Sequence, residues 1–325
     1  MQLIIRYEYM KYNLDKLLRL FSFLLVFVLS LFLAPYYYSG DQLLYNKAYE
    51  DVRGLDIWSA WLAYDLVLKT SEIVHFIFIY VASPFISKNL LMSFINGVLA
   101  YYATYAMQLL KTNTIIIFWT VTLNYYFLVL YFAAERLKFA FLFIAIAFCW
   151  YVVKGMKSYK GHLFTGVAIL SHIQILAFCS SFVSKEIFHS KTWDNFSWRP
   201  ILITGTIGLC ISLFLYDYVI EKIMIFFNMH DLTFKDIIPI FILLILSFRY
   251  SNWNVSVFFV FLPIIIGIIL IGGDRLNMMG YFIFLYYACQ FNKGINIGMI
   301  ALSGYFTYKS YVFFEKILQH GNGFS

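Results

Sequence analysis

Apolar runs close to the length of a bilayer crossing follow one another along this chain, separated only by short charged clusters. They lie at residues 18–38, 90–109, 114–132, 139–153, 161–183, 201–220, 237–248, 255–271, 276–289 and 295–314. Several of them approach the ~20 residues that a helix needs to cross a hydrocarbon core. Charged residues make up 13% of the chain, about half the share of a soluble domain. The expectation is an all-α polytopic integral membrane protein, a single membrane domain over residues 1–325 with about 10–11 transmembrane helices and no separate soluble domain.

The charge balance fits that class. The net charge of +7 reads as cytoplasmic anchoring and contact with lipid head groups. It does not read as nucleic-acid binding, because no soluble basic domain carries it. Cys149, Cys179, Cys210 and Cys289 lie singly in apolar runs, without a CxxC pair, and read as small core residues. The basic N-terminal segment leads into residues 21–33, which are followed by tyrosines instead of a small-residue cleavage site. It is expected to be a retained first helix and not a signal peptide.

Arg6, Lys11 and Lys16 before the first run, with Arg19 at its start, set residues 1–17 as a cytoplasmic tail. Residues 39–88 then form a long extracytoplasmic loop, in which 57–68 has the spacing of an interfacial helix. Lys154, Lys157 and Lys160 mark the next cytoplasmic loop, so an odd number of crossings must precede it. The weakest run, 72–87, carries Glu72, His75 and Pro84 and is assigned as a half-depth or juxtamembrane helix. Residues 90–109 run inward and 114–132 outward, which leaves Glu135-Arg136 facing the extracytoplasmic side. The run 161–183 is either one span or two short helices broken at Ser171-His172, and lysine and arginine counts do not separate the two. Residues 315–325 are expected to be a C-terminal tail.

Charges placed at the mouths of such helices cost free energy unless they pair or bind something charged. Arg136 is adjacent to Glu135, but adjacent helical residues do not face each other. Its natural target is a diphosphate, because guanidinium binds phosphate oxygens bidentately and keeps its charge at low dielectric; the alternative is a snorkelling anchor. Asp41 is either a general base that orients a sugar hydroxyl or a solvated loop carboxylate. Tyr45 and Tyr49 follow it at helical spacing, suited to stacking on a sugar or to an interfacial belt. His172 lies inside an apolar run, and Arg275 follows Gly272-Gly273-Asp274 in a tight turn. No glycine-rich phosphate loop, no HExxH and no metal-ligand spacing is present. An ATPase or metalloenzyme has nothing to stand on, and no cofactor is expected.

The order Gly40-Asp41 with Tyr45, Ser71-Glu72, Tyr131 with Glu135-Arg136-Leu137-Lys138-Phe139-Ala140, Ile169-Leu170-Ser171-His172 and Asp274-Arg275-Leu276 resembles the EpsG-like and Wzy-type O-antigen (polysaccharide) polymerases. The chain departs from that pattern in lacking the threonine before Asp41, the glutamine after Arg136 and the Pro-Gly after Glu72. The resemblance implies a break at Ser171-His172 and hence about eleven crossings, with Asp41, Arg136, His172 and Arg275 all on the periplasmic side of a bacterial inner membrane. It also implies a glycosyltransferase joining undecaprenyl-diphosphate-linked oligosaccharides into O-antigen or capsular polysaccharide, without metal or cofactor. Asp41 or His172 would be catalytic. Arg136 and Arg275 would hold the diphosphate, with Glu135 as the tether of Arg136 and Tyr45 and Glu72 in the substrate site. Membrane lipid and a chain-length regulator protein are the implied partners. A flippase or other transporter of lipid-linked oligosaccharide, an O-antigen ligase and a membrane acyltransferase are the competing classes.

Overall fold

The computed structural model describes residues 2–70, 72–189, 224 and 234–324, and among these the regular elements are helical with no strand. The helices are α1 (Gln2–Leu33), α2 (Asp41–Asp51), α3 (Ile57–Leu68), α4 (Ile73–Ala82), α5 (Lys88–Leu109), α6 (Thr114–Leu123), α7 (Tyr125–Phe132), α8 (Glu135–Lys154), α9 (Tyr159–Ser171) and α10 (Ile175–His189). After the undescribed segment come α11 (Phe234–Tyr250), α12 (Ser256–Ile271), α13 (Asp274–Gln290) and α14 (Ile297–His320). The expected span at 201–220 and most of the loop at 221–236 lie outside the described residues.

Three stretches are long and apolar enough to cross a membrane: Asn13–Tyr36, Lys88–Leu109 and Glu135–Lys154. A fourth results when α6 and α7 are taken together across a 46° bend. The expected ten or eleven crossings are therefore matched in length and composition by three or four among the described residues. Helices α9 to α13 run 13 to 17 residues, short of a straight crossing. α14 is longer, but Lys309, Glu315 and Lys316 interrupt its apolar character.

α1 and α5 pack antiparallel. Leu24, Val28 and Phe32 of α1 are exposed at a spacing of four, while Ser22, Val26 and Ser30 on the other face are buried. Gly97 permits the contact, since a Cβ there would meet the Phe23 ring at 2.9 Å and the Phe23 carbonyl at 3.0 Å. Beside it Asn96 Nδ2 donates to Ser30 Oγ at 3.0 Å. Small and amide side chains hold apolar helices together where no hydrophobic effect separates protein from lipid.

The run 114–132, expected as one span, is broken at Asn124. The Asn124 side chain accepts from Tyr126 N at 3.0 Å and donates to Tyr281 Oη at 2.8 Å. An asparagine cap gives the backbone an alternative to the helical bond and so ends α6. The run 161–183 is also broken, between Ser171 and Ile175. Phe164 of α9 packs on Phe143 of α8, and Phe178 of α10 packs on Phe141. The chain climbs along α8 to His172 and then descends again, which is the two-helix alternative.

Helix ends gather at two ends of the bundle. At one end Gln108 Nε2 donates to the Asp15 carbonyl, Asn113 N donates to the Lys293 carbonyl, and Tyr151 Oη meets His162 Nδ1. Lys111, Lys154 and Lys157 are exposed there. The other end carries the starts of α2, α5 and α8, the α9–α10 turn and the end of α14. Residues 1–17, expected as a tail, are helical from Gln2 onward and continuous with the first apolar stretch. Residues 315–325, also expected as a tail, are helical to His320, and Gly321 then caps the first loop. Its carbonyl accepts from Tyr38 N at 3.2 Å, Ser39 N at 3.0 Å and Ser39 Oγ at 2.9 Å.

α4 matches the short helix expected at 72–87. Its ten residues rise ~15 Å, half the ~30 Å of a hydrocarbon core.

Candidate functional site

Four ionisable side chains, from α2, the N-cap of α4, α8 and the α9–α10 turn, meet at the end that carries the start of α8. Glu72 stands at the N-cap of α4 and is buried. One carboxylate oxygen, Oε2, lies 3.1 Å from Arg136 Nη1. The other, Oε1, is in contact with His172 Nδ1 at the α9–α10 turn. Arg136 Nε donates to Tyr45 Oη of α2 at 3.2 Å. Burial alone would raise the Glu72 carboxyl, but His172 and Arg136 hold it down to about 2. The same burial raises the Tyr45 phenol even with Arg136 alongside, so Tyr45 faces the guanidinium as a neutral acceptor.

His172 is positioned through both ring nitrogens. Nδ1 meets the Glu72 carboxylate and Nε2 meets Gln174 Oε1 at 3.1 Å. A carboxylate on Nδ1 fixes the proton there and orients the ring, the role a carboxylate plays behind a catalytic histidine. Rotation of the Gln174 amide, which exchanges its oxygen and nitrogen, lets Nε2 serve as an acceptor.

A second cluster lies one residue away. Lys88, the first residue of α5, sits 2.9 Å from Glu135 Oε1 and donates to Gln42 Oε1 at 2.6 Å and Asn46 Oδ1 at 2.9 Å. Gln42 Nε2 in turn donates to the Phe132 carbonyl at 2.8 Å. Lys138, fully buried, donates to the Tyr131 carbonyl at 2.7 Å. By formal charge the two clusters hold Lys88, Arg136 and Lys138 against Glu72 and Glu135, an excess of one positive charge with the histidines neutral. Arg136 opens furthest outward, its side chain 18% exposed against 4% for Glu72.

The sequence expectations divide on this geometry. Glu72, Arg136, His172 and Tyr45 come together although they lie on different elements. Glu135 does not tether Arg136: it pairs with Lys88, and Glu72 takes the guanidinium. The cause is helical geometry, since neighbouring residues project in different directions. Asp41 is exposed in the first turn of α2, and among the described residues no hydrogen bond or ion pair joins it to the cluster. The helical spacing that was to set Asp41 and Tyr45 on one face instead leaves Asp41 outside while Tyr45 is buried. Arg275 is partly buried at the start of α13. Phe141 packs on Phe282 and Phe148 on Tyr286, so α8 and α13 run parallel and both arginines belong to the same end of the bundle. No hydrogen bond or ion pair among the described residues links Arg275 to the cluster.

Lys88, Lys138 and His75 were missed by sequence reasoning. Lys138 had a signal, at i+3 from Glu135. Lys88 had one as well, as a lysine at the outer mouth of an expected span. His75 is buried with Nδ1 bonded to Tyr64 Oη at 3.0 Å, while its Nε2 has no partner among the described residues. No group of three or more His, Cys, Asp or Glu side chains converges in a metal-binding arrangement among the described residues.

Compared with known protein families, characterised proteins and solved structures, the chain matches none. The likeness to polysaccharide polymerases rests on the residues quoted for it.

Proposed function

We propose that this chain is a multi-pass glycosyltransferase that polymerises undecaprenyl-diphosphate-linked oligosaccharide repeats on the outer face of a bacterial inner membrane. The observation that carries the reading is the Glu72–Arg136–His172 cluster, in which a carboxylate holds a histidine on one oxygen and an outward-opening guanidinium on the other. A guanidinium, with donors beyond those that Glu72 and Tyr45 take, suits a diphosphate. The exposed Lys111, Lys154 and Lys157 at the opposite end support a cytoplasmic assignment for that end and a periplasmic one for the cluster.

In the proposed reaction the hydroxyl of an incoming unit attacks C1 of the donor sugar. Its oxygen forms the new bond to C1 as the bond from C1 to the diphosphate oxygen breaks. The hydroxyl proton passes to His172 Nε2, and undecaprenyl diphosphate leaves with the bonding electrons. Arg136 stabilises the charge that develops on the leaving diphosphate, with Arg275 of the same bundle end as the second cation. Glu72 holds the His172 ring and stabilises the imidazolium that forms. His172, and not the exposed Asp41, is the general base.

The test is a chromosomal deletion complemented with single variants, read as surface polysaccharide chain length. Arg136→Ala and His172→Ala are expected to leave single repeat units, and Asp41→Ala to restore long chains. Long chains from both Arg136→Ala and His172→Ala would refute the reading. So would loss of all surface sugar on deletion, the signature of a flippase, or polymer retained on its lipid carrier, the signature of a ligase.

A further inference from the structure

Beside the ionic cluster lies a second concavity, of about 370 Å³, between α2, the α4–α5 turn and the start of α5. Asn46 and Glu50, at i and i+4 of α2, and Arg53 in the turn that follows line one wall, while Phe85, Lys88 and Asn89 line the other. Tyr49 Oη donates to the Ile86 carbonyl at 2.8 Å and holds the two walls at a fixed separation. Glu50 and Arg53 are exposed and Asn89 is half-buried. Among the described residues none of these three side chains makes a hydrogen bond or ion pair. Phe85, at 82% exposure, stands at the rim.

The geometry points to a binding site for a neutral saccharide in this groove. Its volume lies in the range of small-molecule sites, ~300–1,000 Å³. An acyl or prenyl chain does not suit a lining that sets two amides and three charged side chains among its apolar groups. An anion does not suit it either. Lys88 has three N–H donors and spends them on Gln42, Asn46 and Glu135, while Glu50 and Arg53 cancel in formal charge. What remains is a set of donors and acceptors without net charge. Lys88 takes the Asn46 amide oxygen, and the amide nitrogen has no partner among the described residues. The Asn89 carboxamide, the Glu50 carboxylate and the Arg53 guanidinium complete the set. Vicinal hydroxyls, each both donor and acceptor, match it, and the Phe85 ring offers an apolar face to sugar C–H groups.

The groove adjoins the ionic cluster across one aromatic ring. The Tyr45 ring centre lies 5.6 Å from Lys88 Nζ and 6.0 Å from Arg136 Cζ. A sugar in the groove is therefore next to a diphosphate on Arg136. Its assignment as the position of the acceptor unit rests on the function proposed above, whereas the binding itself rests on the groove's own residues.

The experiment titrates the purified full chain in detergent with a panel of neutral hexose and N-acetylhexosamine disaccharides, and separately with inorganic diphosphate. Saturation-transfer nuclear magnetic resonance detects the former and calorimetry the latter. At least one disaccharide is expected to bind. Glu50→Ala and Asn89→Ala are each expected to weaken it about tenfold, the loss of one or two hydrogen bonds, with diphosphate affinity unchanged and helical circular dichroism as the fold control. Arg136→Ala is expected to do the reverse. If diphosphate fails to bind but disaccharide binding still depends on Glu50 and Asn89, the groove stands and the diphosphate reading falls. Absence of binding by every disaccharide, binding indifferent to both substitutions, or diphosphate binding lost in Asn89→Ala would each overturn the proposal.

Discussion

Replacing Glu72 by glutamine removes one charge from the centre of the site while keeping its shape. The consequence can be worked from two directions. A carboxyl held at about 2 in the folded protein, against an ordinary 4.5, contributes about 3 kcal/mol at ~1.4 kcal/mol per pH unit. Breaking a buried ion pair by removing one partner costs ~3–5 kcal/mol, because the other charge stays buried and unpaired. The two routes agree on a loss of about 3 kcal/mol for Glu72→Gln at pH 7. The pH dependence follows in sign. The folded carboxyl is the stronger acid, so its contribution is complete above about pH 4.5 and disappears as the pH falls toward 2. The assay is the denaturation midpoint of the purified protein in mixed micelles, for Glu72→Gln, Arg136→Gln and the double variant. Because Glu72 and Arg136 are 3.1 Å apart, their effects should couple by ~1–3 kcal/mol. A loss below about 0.5 kcal/mol in Glu72→Gln, or strict additivity in the double variant, would refute the pairing.

Two further perturbations probe the scaffold. Gly97→Ala sets a Cβ against the Phe23 ring and carbonyl, and is expected to cost ~1–3 kcal/mol of stability through overpacking, read from a lower denaturation midpoint. Asn124→Ala removes the cap of α7 and the donor to Tyr281 Oη. It should cost ~1 kcal/mol for the cap and a further ~1–3 kcal/mol for the buried hydroxyl left without it, measured in the same way.

The helical class was legible in the sequence because apolar runs and charge scarcity act on every residue. So were Glu72, Arg136 and His172, since an ionisable group among apolar neighbours is conspicuous by cost alone. Their partners were not legible. Glu135 looked like the neighbour of Arg136, but Lys88, 47 positions earlier, takes it instead. Nothing in local spacing specifies which helix faces which. Asp41 and Tyr45 share helical spacing, but burial, which separates them, depends on how α2 packs. The break at Asn124 was hidden for a different reason: hydropathy sums over residues, and a single capping amide changes direction without changing the sum.

The carbonyl of Gly321 holds Tyr38 and Ser39, so the first loop is closed by a residue made long after it. The Ser39–Gly321 bond joins positions 282 apart. At ~5–20 residues per second the loop emerges roughly 15–60 s before its clasp exists. Throughout synthesis Tyr45 and its neighbours lack that restraint, and a chain cut short before residue 321 never gains it. Synthesis of residue 321 thus doubles as the step that secures the mouth of the site, and a partly translated chain would carry the charged cluster without its clasp.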